Sequence, residues 1–108
     1  MSQKILQINF SFNVPAADMA AAFAPLAQPI ADTPGLRWKI WLMNADKGQG
    51  GGIYLFEDEA TVQAYLAGPI IGGLKTNPAL GDVSIRTYGV AEEISLVTRA
   101  PIQETLRA

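Results

Sequence analysis

Residues 4 to 12 alternate. Leu6, Ile8, Phe10 and Phe12 fall on one side, with Gln7, Asn9 and Ser11 on the other, the period-two signature of a half-buried strand. Asn13 and Pro15 then offer a helix start, and Met19, Phe23, Leu26 and Ile30 recur at helical spacing. Pro25 and Pro29 lack amide donors and crowd the turn before them, so this helix is expected to kink. Thr33-Pro34-Gly35 ends it. Leu36 to Asn44 reads as a second strand and Gly52 to Phe56 as a third, joined through residues 45 to 51. Glu57-Asp58-Glu59 opens a second helix, with Asp58 as its N-cap and Val62, Tyr65 and Leu66 as its apolar face. Gly68-Pro69 interrupts that helix, and Ile70 to Gly81 is expected to be a loose helical turn and loop. Val83 to Val90 alternates again, Val83, Ile85 and Thr87 against Ser84, Arg86 and Tyr88, and a short helix is expected around Ile94 to Arg99.

The order β-α-β-β-α-β is the ferredoxin-like, split βαβ arrangement, an α+β fold with an antiparallel sheet and helices on one face. The whole chain, 1–108, is expected to form one such domain, with 91–108 as a C-terminal tail placed to contact a partner subunit. Strands two and three are apolar on both sides: Trp38, Ile40 and Leu42 against Trp41 and Met43, and Tyr54 and Phe56 against Ile53 and Leu55. Two helices cover one face of the sheet, and a bare apolar second face in water is unusual. A second copy packed sheet to sheet answers this, so a homodimer is expected.

Composition narrows the chemistry. With 108 residues, the chain can bury roughly two-thirds of its unfolded surface. A net charge of −2 and eight scattered basic residues argue against nucleic acid or an anionic membrane as partner. No apolar run reaches the length of a membrane span, and Met1-Ser2-Gln3-Lys4 leads into a strand instead of a signal peptide, so a cytoplasmic protein is expected. The chain contains neither cysteine nor histidine. Disulfides, thiolate nucleophiles, histidine-ligated haem and the usual zinc sites are therefore excluded, and proton transfer falls to carboxylate, tyrosine, lysine, water or the substrate.

Gly48-Gln49-Gly50-Gly51-Gly52 lacks the Lys-Ser/Thr of a phosphate loop and leads into a strand, so it reads as a flexible hairpin connection. Glu57-Asp58-Glu59 suits a helix start better than a metal, since three adjacent carboxylates cannot converge on one ion. No metal and no cofactor are expected. Trp38 and Trp41 point to opposite faces of a regular strand, one toward the helices and one toward the dimer side. Tyr54, Tyr65 and Tyr88 carry hydroxyls that need partners if buried. Arg86 shares a face with Tyr88 and is either buried against an anion or exposed at an edge. Lys39 is expected to reach solvent. Asn9 could donate toward an anionic oxygen or simply meet water.

Gly35-Leu36-Arg37-Trp38-Lys39-Ile40-Trp41, then Gly51-Gly52-Ile53-Tyr54-Leu55-Phe56-Glu57-Asp58-Glu59 and Ala64-Tyr65-Leu66, resemble the YdhR-type mono-oxygenases, and the opening Leu6 to Asn13 fits as well. The resemblance implies a dimeric α+β barrel, two ferredoxin-like subunits joined through their sheets. Within that superfamily the missing histidine leaves cofactor-free oxygenases as the nearest precedent. By position, Trp38, Trp41, Tyr54 and Tyr65 lie on the matching motifs and Arg86 falls where a basic residue belongs. Asn9 departs from the histidine of some relatives.

The reading that results is a cofactor-independent mono-oxygenase acting with molecular oxygen on a small hydrophobic phenol or hydroquinone. Tyr54, Arg86 and Trp38 are the expected catalytic residues, and Trp41, Tyr65, Asn9 and Tyr88 the substrate-binding ones. The alternatives are a non-catalytic binder of small aromatic or isoprenoid molecules and a dimeric structural module.

Overall fold

A computed structural model describes residues 2–102. Strand β1 (Lys4–Phe12) is followed by α1 (Ala16–Phe23), a single 3₁₀ turn over Ala24–Leu26, and α2 (Ala27–Ala31). Next come β2 (Leu36–Asn44), β3 (Gln49–Phe56), α3 (Glu59–Leu66), α4 (Pro69–Thr76), β4 (Leu80–Gly89) and α5 (Glu92–Val97). The four strands form one antiparallel sheet in the order β2-β3-β1-β4, so the arrangement is ferredoxin-like.

β1 lies between two neighbours, and its alternation becomes alternating burial, with Leu6 and Ile8 essentially inaccessible. Leu6, Ile8, Phe10 and Phe12 face the helices with Tyr54 and Phe56 of β3. Met19 and Ile30 come down from the first helical segment, and Val62, Tyr65 and Ile71 from the second. Each such fully buried side chain contributes about 1.5–3 kcal/mol through removal of apolar surface from water.

Local chemistry places the helix ends. Pro25 falls in the 3₁₀ turn that separates α1 from α2, where its missing donor breaks the i→i−4 ladder. Pro29 sits in the first turn of α2, where an amide donor has no intrahelical partner in any case. Asp58 caps α3: its Oδ1 accepts the Thr61 N–H at 2.9 Å, while the Thr61 hydroxyl donates back to the Asp58 carbonyl at 3.0 Å.

Three elements differ from the sequence expectation. β3 begins at Gln49, so Gly50, Gly51 and Gly52 are strand residues and the connection is a 3₁₀ turn over Ala45–Lys47 closed by Gly48 at φ +60°. A strand without side chains carries no alternation, which is why the pattern hid it. Pro69 starts a regular helix at N1, and α4 replaces the expected loose segment. β4 starts at Leu80, where its register with β1 reaches Phe12.

The opposite, outer face of the sheet carries Ile5 beside Tyr88, Gln7 beside Arg86, Asn9 beside Ser84, Trp38 beside Leu55 and Ile40 beside Ile53. The indole N–H of Trp38 donates to the Pro101 carbonyl at 2.9 Å, which ties the described part of the tail to β2 of its own chain. Leu55 and Ile102 are buried, while Ile40 and Tyr88 are about half exposed. Residues 103–108, the remainder of the tail expected to contact a partner, lie outside the described residues.

Candidate active site

Between the sheet and the helices lies a cavity of about 370 Å³. Its walls are Ile8 and Phe10 of β1, Trp41 of β2, Tyr54 of β3, Phe23 of α1 and Tyr65 of α3; Ile70, Ile71 and Leu74 of α4 close it. β2 and β3 place the chemistry. Trp41 pairs with Gly52, and Lys39 with Tyr54, so Lys39, Trp41, Gly52 and Tyr54 share the helix-facing side.

Gly50 and Gly52 make the space. A Cβ at Gly50 would stand 3.1 Å from the Phe10 ring, and one at Gly52 would stand 2.6 Å from Lys39 Cε. The bare backbone at Gly52 lets the Lys39 chain lie across the strand. Its Nζ comes 3.3 Å from the Trp41 ring centroid and 4.6 Å from that of Tyr54, within cation–π range of both. Two aromatic groups thereby meet at the amine. Phe10 contacts Phe23, which contacts Trp41 at 5.4 Å between centroids. On the other side Tyr54, Phe56 and Tyr65 pack mutually at 5.3–6.1 Å.

Among the described residues Lys39 is the sole charged one lining the cavity, and no carboxylate lines it. Burial therefore disfavours its ammonium form and brings its pKa from 10.5 down to about 8. The Tyr65 hydroxyl donates to the Tyr54 hydroxyl at 3.2 Å. Burial raises both phenols above the ordinary tyrosine value, and for Tyr54 the neighbouring Tyr65 adds to the rise. Both stay protonated at neutral pH. Within such a hydroxyl pair one O–H is spent on the other oxygen, and the second O–H is left to donate to a ligand oxygen.

Of the residues expected from sequence, the fold brings Tyr54, Tyr65 and Trp41 together. Arg86, Tyr88, Asn9 and Trp38 are on the outer face. Arg86 is exposed on the edge strand β4, the exposed-edge alternative, because its register partner Gln7 points away from the helices. Trp38 and Trp41 do take opposite faces, Trp41 toward the helices. Lys39, expected to reach solvent, is instead turned inward. Parity with Trp41 was the signal for it, but parity alone leaves open which tryptophan faces the helices. Phe23 was visible only as a helix-core position.

The fold is shared with solved structures that include a putative antibiotic biosynthesis monooxygenase from Deinococcus radiodurans, which aligns with TM-score 0.66 at 18% identity, over 82% of this chain and 93% of that one. The family profile described as "Putative mono-oxygenase ydhR" matches residues 5–101, and the chain belongs to that family. No curated protein matches it significantly. Among solved structures, a protein of unknown function from Nitrosomonas europaea aligns with TM-score 0.71 at 23% identity, over 84% of this chain and 91% of that one. SnoaB, a cofactor-independent oxygenase from Streptomyces nogalater, aligns with TM-score 0.68 at 18% identity, over 83% and 94%. The haem degrader MhuD from Mycobacterium tuberculosis, with two haems in its active site, aligns with TM-score 0.58 at 22% identity, over 81% and 95%.

The residues here do not fit a haem. The chain has no histidine or cysteine, the cavity's tyrosines are held protonated, and Lys39 is engaged by two rings. Nor do the described residues contain a group of three or more potential metal-ligating side chains.

Proposed function

We propose that the protein is a cofactor-independent mono-oxygenase whose substrate is a small hydrophobic phenol or hydroquinone bound in this cavity. The observation that carries the reading is the meeting of an amine and a hydroxyl pair, Lys39 with Tyr54 and Tyr65, inside a mostly apolar, ring-lined space. The family match and the likeness to SnoaB support it. For a phenol with an open para position, dioxygen delivers one atom to the para carbon and the other leaves as water. The phenol becomes a quinone and supplies all four electrons. Tyr54 stabilises the phenolate oxygen, from which an electron can pass to oxygen, and Trp41 packs on the ring at the cavity mouth.

The outer face, with Ile40, Tyr88 and Arg86, is read as the surface that a second copy covers. Asn9 and Trp38 belong to that face rather than to the chemistry. Cytoplasmic placement accords with the described residues, none of whose helices is long and apolar enough to cross a membrane.

The test is oxygen uptake by metal-free, flavin-free protein given 1-naphthol, with quinone product measured alongside. Equal uptake and quinone, falling about tenfold or more in Tyr54→Phe, is expected. Uptake no greater than with boiled protein would refute the reading, and saturable tryptophan quenching without uptake would make the protein a binder.

A further inference from the structure

We propose that Lys39 takes the acidic proton of the bound ligand and holds the resulting oxyanion between Trp41 and Tyr54, so that the cavity selects flat ring compounds bearing an acidic hydroxyl over their neutral ethers. This rests on the cavity being the ligand site. It adds the proton acceptor, the counter-ion and the ligand's required functional group.

Three observations converge on the amine. Among the described residues it is the sole charge lining the cavity, and the ring faces of Trp41 and Tyr54 support it there. Rings attract a cation weakly compared with an anion, so a buried ammonium in this position is under-compensated. Second, the space for its chain is provided by Gly52, where any Cβ would drive Lys39 aside. A strand interior ordinarily disfavours glycine, so the cavity gains a placed amine at the expense of strand propensity. Third, among the described residues no competing base lines the cavity, since both tyrosine hydroxyls are held in their protonated forms.

The proton balance follows. With the Lys39 pKa near 8, about a tenth of the amine is free base at pH 7. The Nζ lone pair takes the proton to form an N–H, the O–H bonding pair stays on the ligand oxygen, and no oxidation state changes. The cavity then holds an ammonium–phenolate pair with no net charge. Such a pair suits an apolar cavity better than the lone ammonium it replaces, so ligand binding relieves the burial penalty on Lys39. Tyr54 supplies a second hydrogen bond to the same oxygen.

The probes are 7-hydroxycoumarin, whose absorption distinguishes phenol from phenolate, and its methyl ether 7-methoxycoumarin. At a pH about one unit below the free dye's own pKa, the bound hydroxycoumarin is expected to show the phenolate band. Lys39→Met should abolish that band and weaken hydroxycoumarin binding about tenfold or more. The same variant should bind the ether within about twofold of wild type, which shows that the cavity is intact.

A neutral spectrum in the wild-type complex, or a phenolate band that survives in Lys39→Met, would overturn the proposal. So would failure of both dyes to bind, and oxygen uptake from 1-naphthol in that case would leave the oxygenase reading standing. A Lys39-dependent phenolate band without oxygen uptake from 1-naphthol would leave this proposal standing and refute the oxygenase alone.

Discussion

Replacing Lys39 with methionine should make the protein more stable near neutral pH, although it deletes a residue assigned to the site. The amine is brought from 10.5 to about 8 by burial. At about 1.4 kcal/mol per pH unit, that is about 3 kcal/mol against keeping the charge in the folded state. Part of this is offset, because the amine retains some water and the Trp41 and Tyr54 faces attract it. A net gain of about 1–2 kcal/mol for Lys39→Met at pH 7 remains. Methionine fills nearly the same volume without a charge, so little packing is lost.

The pH dependence fixes the cause. Between about 8 and 10.5 the unfolded chain binds more protons at this position than the native one. The stability of the wild type relative to the variant therefore rises with pH through that window, and the full deficit is present below it. The gain from methionine should shrink steadily from about pH 8 and vanish near 10.5. Tyr54 and Tyr65, with raised pKa values, lower the stability of both proteins alike above about pH 10, and the difference between them cancels that effect. Urea unfolding followed by circular dichroism, at one protein concentration and several pH values, reads the difference. A methionine variant less stable than wild type at pH 7, or a difference constant with pH, would refute the reasoning.

The glycines of β3 should separate by what their missing Cβ would strike. In Gly51→Ala the new atom meets the Ile8 carbonyl oxygen of the adjacent strand; because backbone cannot step aside, a loss of about 3 kcal/mol is expected in urea unfolding. In Gly52→Ala it meets the flexible end of Lys39 at 2.6 Å, so stability should change by less than about 1 kcal/mol while the bound phenolate band of 7-hydroxycoumarin disappears. Gly72 has nothing within 4 Å of its would-be Cβ and lies inside α4, the helix that closes the cavity. Gly72→Ala should therefore raise stability by about 0.5–1 kcal/mol, and a fall in thermal midpoint would contradict it.

Much of this molecule was legible in its pattern of residues. β1 and β2 have the boundaries that alternation and apolar content imply, and Asp58 caps the helix where its type and position say it should. These are local effects: side-chain parity along a strand and a carboxylate beside unsatisfied amides act within a few residues. The apolar second face of β2 and β3 was equally plain, as was the loss of histidine and cysteine chemistry. Parity likewise required Trp38 and Trp41 to part.

Which tryptophan faced the helices was decided elsewhere, by a register that sets Trp41 beside Gly52 and Trp38 beside Leu55. That pairing, with a shift between Leu36 and Trp38, involves two strands at once, and no single-strand pattern contains it. The same register turned Lys39 inward across Gly52, and the pairing of β4 with β1 left Arg86 and Tyr88 on the outer face. The chain by itself determined the elements and the residue types available for chemistry. The tertiary structure decided which of them share a cavity, because side-chain direction follows local periodicity whereas proximity depends on how distant segments pair.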